Sequence, residues 1–277
     1  MKLGATLAAP LLLAFAGLSR AYVPARATDS EYDAEAAGQN FTDPSRLVLS
    51  WWPDEPGTPE QVSHQISGRN STGVNRGAFV HFSEDNLLNG TTTAPWIAWI
   101  SCDESNTTSP YPDTDIFTLA YERGANAAVL YSLESLTCYL TSDYSKSAKA
   151  NPTLDIYMTQ SLGVSRWVDA QFKQRIPTDL LSNHSSFDPM VLNSSAHTIE
   201  EAFPDNAIPK RGYIIASLYA SVNGTLANPG SSNTTGTGTS APAETPSNIA
   251  TSMTSRVGSF SQRAGWLIAA LVGTYIM

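Results

Sequence analysis

Trp96-Ile97-Ala98-Trp99-Ile100-Ser101, then Asp113-Thr114-Asp115-Ile116-Phe117-Thr118-Leu119-Ala120, then Ala127-Ala128-Val129-Leu130-Tyr131 are the stretches that decide the fold class. The first run is apolar on both faces, which predicts a central strand. Asp113 and Asp115 offer carboxylates that cap a helix N-terminus. Ile116, Leu119 and Ala120 share one face of that helix, and Gly124 can end it. Ala127–Tyr131 reads as a second buried strand. The unit is therefore strand, helix, strand.

Further strands flank it. Leu47-Val48-Leu49-Ser50-Trp51-Trp52 is β-rich and stops at Pro53 and Pro56-Gly57. Gly77–Phe82 predicts another strand, and Asn89-Gly90 a turn. Leu154–Thr159 alternates as a half-buried strand does. Val164, Trp167, Val168 and Phe172 recur at helical spacing, and Tyr213–Ala220 forms a long closing strand. Residues 22–46 are polar, acidic and without periodicity, so an irregular lead-in is expected there. Residues 47–222 make one domain. From 223 to 262 the chain turns to Ser, Thr, Gly and Pro with almost no charge, the composition of a disordered stalk.

The layout from Ile97-Ala98-Trp99-Ile100-Ser101-Cys102 through the helix to Glu122-Arg123-Gly124-Ala125 and Ala127–Ser132 resembles the core of a protease-associated (PA) domain. Asp155–Thr159 and the segment from Gly163 through Trp167-Val168 fall where that family places its next strand and helix. The resemblance implies an α+β fold, a mixed β-barrel or sandwich with flanking helices. It also implies a non-catalytic module that binds peptides or proteins. The family's Cys-x-Phe-x-x-Lys segment is missing, and neither a protease domain nor RING cysteines follow, so only the module carries over.

The ends and the composition suggest a compartment. Met1-Lys2, the apolar Leu3–Leu18 and Ser19-Arg20-Ala21 read as a signal peptide over residues 1–21. Residues 264–277 form an apolar tail reaching about 21 Å as a helix, short of a roughly 30 Å hydrocarbon core. Small residues at Ala250-Thr251-Ser252, a mostly polar spacer and this tail match a glycolipid (GPI) attachment signal, which is favoured over a single span. Ala250 is the candidate acceptor and Asn248 a second. The net charge of −9 argues against nucleic acid and against adhesion to anionic lipid. Sequons at Asn40, Asn70, Asn89, Asn106, Asn183, Asn193, Asn223 and Asn233 mark N-glycosylation candidates along the ectodomain. Cys102 and Cys138, the only cysteines, are expected to pair in an oxidising compartment.

Catalytic and metal signatures are weak. His64, His81, His184 and His197 have no zinc-helix spacing, and His-Glu-x-x-His does not occur. His81 is expected to be structural or at the surface, and His184, inside a sequon, exposed. Asp113-Thr114-Asp115 lacks the Gly of an aspartic-protease loop. Asp54-Glu55 and Glu200-Glu201 are adjacent carboxylates that do not converge on one substrate. Gly68-Arg69-Asn70-Ser71-Thr72-Gly73 lacks the strand–helix context of a phosphate loop. Trp96 and Trp99 point to opposite faces of a strand, as do Trp51 and Trp52, so at least half of them belong to a core rather than to a binding strip.

The sequence thus points to an N-glycosylated, membrane-attached recognition or sorting module of the secretory pathway and cell surface, binding a protein or peptide, with no cofactor. The alternatives are a structural cell-surface glycoprotein, and the lumenal part of a PA–transmembrane–RING ubiquitin ligase whose RING lies outside this chain. If the tail is an anchor signal, the mature protein lacks residues 264–277 and a GPI-specific phospholipase releases it from membranes. Recovery from membranes of an unmodified peptide ending at Met277, read by mass spectrometry, would contradict this.

Overall fold

The computed structural model describes residues 22–53, 57, 59–83, 90–103, 114–204 and 207–228. The leader, the tail, Ala250 and Asn248 lie outside these residues, as do Asn89, Asn106, Asn233, Asp54-Glu55, Asp113 and most of the stalk. Among the described residues no helix is long and apolar enough to cross a membrane.

In chain order the strands are β1 (Ala25–Thr28), β2 (Arg46–Trp51), β3 (Glu60–Ile66), β4 (Val74–His81), β5 (Trp96–Ser101), β6 (Ala125–Tyr131), β7 (Thr137–Leu140), β8 (Asp155–Thr159) and β9 (Ile214–Tyr219). A small hairpin, β10 (Ser221–Val222) and β11 (Thr225–Leu226), follows. The helices are α1 (Glu31–Ala36), α2 (Ile116–Glu122), α3 (Ser142–Ala150), α4 (Leu162–Arg175), α5 (Leu181–His184) and α6 (Pro189–Glu200).

Seven strands close into a mixed barrel in the order β2-β3-β8-β6-β5-β4-β9. The strands β4-β5-β6-β8 run parallel, and β3 and β9 run against them. β9 completes the circle by pairing antiparallel with both β2 and β4. Parallel neighbours need a crossover, which α2 supplies between β5 and β6. Asp115 caps α2, its carboxylate accepting from the Phe117 and Thr118 amides. Gly124 follows the helix at φ +94°, and a Cβ there would stand 2.2 Å from the Thr92 carbonyl oxygen, so only glycine fits.

Strand alternation sorts the apolar side chains into two cores. Leu49, Val62, Phe79, Trp99, Val129, Tyr157 and Ala216, one from each barrel strand, meet in one cluster, which is the barrel interior. A barrel of this strand number is about wide enough for side chains to fill it. Trp99 stacks on Tyr131 at 4.0 Å between ring centroids, and Phe79 packs on Trp99 and Phe172. The opposite faces of β4, β5, β6 and β8 pack under α2, α6 and the β1–β7 ribbon in a second cluster that holds Trp96, Ile100, Phe117 and Leu192. Trp96 and Trp99 thus serve different cores, and of the four tryptophans singled out by sequence only Trp52 is largely exposed, at 51%. The mouth where β2, β4, β5, β6 and β8 end is covered by α4, which sends Val168 and Phe172 into the interior cluster.

Several expectations need correction. Residues 22–46 are not irregular: β1 pairs with β7, more than a hundred positions away, and Ser30 caps α1. A local pattern cannot signal so distant a pairing. β8 is buried at all five positions rather than half-buried, because the barrel interior takes one face and the outer core the other. β3, β7, α3 and α6 escape the sequence reading. The domain does not stop at Val222, since the β10–β11 hairpin turns at Asn223-Gly224. The Cys102 and Cys138 sulfurs lie 2.19 Å apart, at disulfide distance, between the end of β5 and β7.

Phe172→Ala should remove the central apolar group of α4 and lower the unfolding free energy by about 3–5 kcal/mol. Lys173→Ala, on the exposed side of the same helix, should stay within about 0.5 kcal/mol of the parent. Urea unfolding of both variants measures the difference, and equal values would show that α4 does not seal the barrel.

Candidate functional site

The two mouths of the barrel differ in chemistry. At the α4 end, His81 terminates β4. Its Nε2 lies 3.0 Å from Asp169 Oδ1 and its Nδ1 3.0 Å from the Ser185 carbonyl oxygen. The ring rests on Phe172 at 4.2 Å. The hydrogen bond from His81 is the main influence holding the Asp169 carboxyl below the ordinary aspartate range. Both ring nitrogens face an acceptor, so neither is presented to a substrate as a base. The arrangement ties α4 and the 185–187 segment to the barrel.

The opposite mouth is polar. Asp155 opens β8 with its side chain on the interior-facing side, 1% exposed. The amide of Gly68 and the hydroxyl of Ser71 donate to its two oxygens, and Asn75 Nδ2 donates at 2.6 Å. His64 Nε2 stands 3.7 Å away, beyond direct bonding, with its ring against Tyr157 at 4.7 Å. Burial opposes the charge on Asp155. The combined influence of His64, Ser71, the Gly68 amide and Asn75 still holds its carboxyl below the usual value. The three donors at bonding distance engage both oxygens of this carboxylate and occupy three of its roughly four lone-pair sites, so it acts as a pin for the 67–73 loop. Gly68 must be small, since a Cβ would meet the Leu154 and Asp155 backbone at 2.9 Å.

Beside the pin lies an open cavity of about 220 Å³. Asn70, Ser71, Asn75, Asn126, Thr153 and Tyr121 are among its lining residues. Tyr121, in the last turn of α2, is 51% exposed, and Asn126 is exposed while donating to the Arg76 carbonyl. Amides, hydroxyls and the Tyr121 side chain stand there beside the Asp155 carboxylate and the apolar Leu154 and Ala125, a lining suited to hydrogen-bonding a small polar group.

The remaining sequence candidates are scattered. His184 is not exposed as expected: its ring packs on Tyr213 at 4.3 Å and its Nδ1 meets the Gly212 carbonyl, burial lowering its pKa. The hydrophobic face around Tyr213 draws it in. His197 and Lys210 both sit beside Glu201 at the end of α6. Among the described residues no cluster of three or more His, Cys, Asp or Glu side chains could hold a metal. Asn40 and Asn183 are exposed, and Asn223 forms its hairpin turn with φ 52°. Asn193 is engaged: its Oδ1 accepts from Thr92 and Thr93, and its Nδ2 donates to the Thr91 carbonyl. Only Asn70 among these asparagines joins the cavity. The Gly68–Gly73 segment, which carries the Asn70 sequon and lacks phosphate-loop context, folds around the Asp155 carboxylate, a contact that its own sequence does not announce. The signal was a single carboxylate inside the apolar run Leu154–Met158.

Compared with known proteins, the chain matches no family model and no curated protein.

Because its pKa is depressed on folding, Asp155 adds stability that is complete above the unfolded aspartate value, near 3.9, and is lost as pH falls through the lower folded value. Asp155→Asn should therefore lose about 1.5–3 kcal/mol at neutral pH, with the gap to the parent narrowing below about pH 4. Urea unfolding across that range measures it, and a gap independent of pH would refute the pin.

Proposed function

We propose that the chain is a non-catalytic recognition module of the PA type whose binding site is the polar cavity at the Asp155 mouth. The observation that carries this reading is the cavity itself: a loop pinned by Asp155, amide and hydroxyl donors and acceptors, and the exposed Tyr121 around about 220 Å³. Small-molecule sites usually run to roughly 300–1,000 Å³. The cavity instead suits one residue or terminal group of a larger ligand, with the remainder on the surface outside. The parallel β5–α2–β6 unit in a mixed barrel with flanking helices supports the PA assignment. Binding without chemistry is supported by the occupied state of Asp155 and of both His81 nitrogens. The peptide or protein ligand would be met in the secretory pathway or at the cell surface, to which the leader and sequons point.

Selection of a random-peptide library on the full chain stripped of N-glycans should enrich binders. Their affinity should fall about tenfold, some 1.4 kcal/mol, with Tyr121→Ala or Asn126→Ala, both exposed positions outside the cores. Enriched peptides indifferent to both substitutions would place recognition elsewhere, and no enrichment would refute it.

A further inference from the structure

We propose that Asn70 carries an N-linked glycan whose first sugar lies in the cavity against Tyr121, so that glycosylation at this asparagine closes the recognition pocket. The proposal rests on the reading of the cavity as a binding site and of the chain as a secretory protein. It adds a regulator that is part of the molecule.

Three observations converge. Asn70 is exposed and lines the cavity, and its sequon Asn70-Ser71-Thr72 is intact. Among the described residues its side-chain amide has no partner, in contrast to Asn193, whose amide is bonded at both atoms. Its backbone is fixed on both sides, since the Gly68 amide and the Ser71 hydroxyl are both held by Asp155. A glycan rooted there leaves from a defined point at the cavity rim, so little orientational freedom is lost when its first ring settles. The lining then matches a pyranose. Asn75, Asn126 and Thr153 offer donors and acceptors to ring hydroxyls and the acetamido group, and the Tyr121 face can cover the apolar C–H side of the sugar.

The modification is balanced with a polyprenyl-diphosphate-linked oligosaccharide as donor. Asn70 Nδ2 bonds to the anomeric carbon, the bond from that carbon to the diphosphate oxygen breaks, the lipid diphosphate leaves, and Nδ2 gives up one proton.

The test uses the full chain made in a glycosylating secretory host. Peptide mapping should find Asn70 occupied. Nitration of Tyr121 by tetranitromethane should be several-fold slower than in Thr72→Ala, which removes the sequon and keeps Asn70. Tyr32, highly exposed at 78% and remote in sequence from the sequon, serves as the internal reference. Protection should persist when an endoglycosidase trims the glycan to a single N-acetylglucosamine, and should vanish when an amidase removes it whole. The library-selected peptides should bind Thr72→Ala several-fold more tightly than the glycosylated parent. Asn70 found empty while Asn40 or Asn183 carries sugar overturns the proposal and leaves the recognition reading standing. Tyr121 rates equal in all forms, or restored by trimming alone, also overturn it. Peptide binding absent from both forms overturns the recognition reading and, with it, the regulatory role of the glycan.

Discussion

Closure of the barrel by β9 is the constraint on which the rest of the structure depends. This strand lies between β2 and β4 and hydrogen-bonds both. Without it the sheet has two raw edges and the interior aromatic cluster has an open side. The pairing also sets side-chain parity around the circle, since a one-residue slip in any strand would exchange its inner and outer sets. Small residues make the close strand contacts possible. A Cβ on Gly77 would stand 2.6 Å from the Trp96 Cα, so β4 and β5 approach at the van der Waals limit there.

Parity also explains why the two mouths differ. Tyr157 of β8 belongs to the interior cluster, and Asp155 and Thr159 share its face of the strand at either end. At the α4 end Thr159 bonds Ser165 of that helix, and aromatic rings fill the opening. At the other end a carboxylate and the loop folded around it border a polar recess at the surface. The same sequence rule that builds the core therefore yields one end packed with aromatic rings and one that opens on polar groups.

The central unit was legible because its signals are local. Apolar runs mark β5 and β6, Asp115 caps α2, and Val168 and Phe172 fall at helical spacing in α4. Elements held by distant partners were not. β1 pairs with β7 across the chain, and β3 carries polar residues such as His64 and Gln65 that hide its alternation. The candidate site was hidden for the same reason. Its members come from β4, β6, β8, the end of α2, the β3–β4 loop and the segment just before β8, and no spacing in the sequence predicts their meeting. Asp155 is marked in sequence only as a charge in an apolar run, and Tyr121 only as an aromatic residue near a helix end, and neither signal points to a site.

A closing strand near the C-terminal end of the barrel also has a consequence for synthesis. Translation from the end of β4 at His81 to the end of β9 at Tyr219 takes on the order of 10 s at cellular rates. Throughout that interval β2 and β4 lack the partner that they share, and their open edges can join other chains. A product that stops before residue 214 does not become a smaller working module. It remains an unfinished cylinder whose unpaired β2 and β4 edges invite intermolecular pairing.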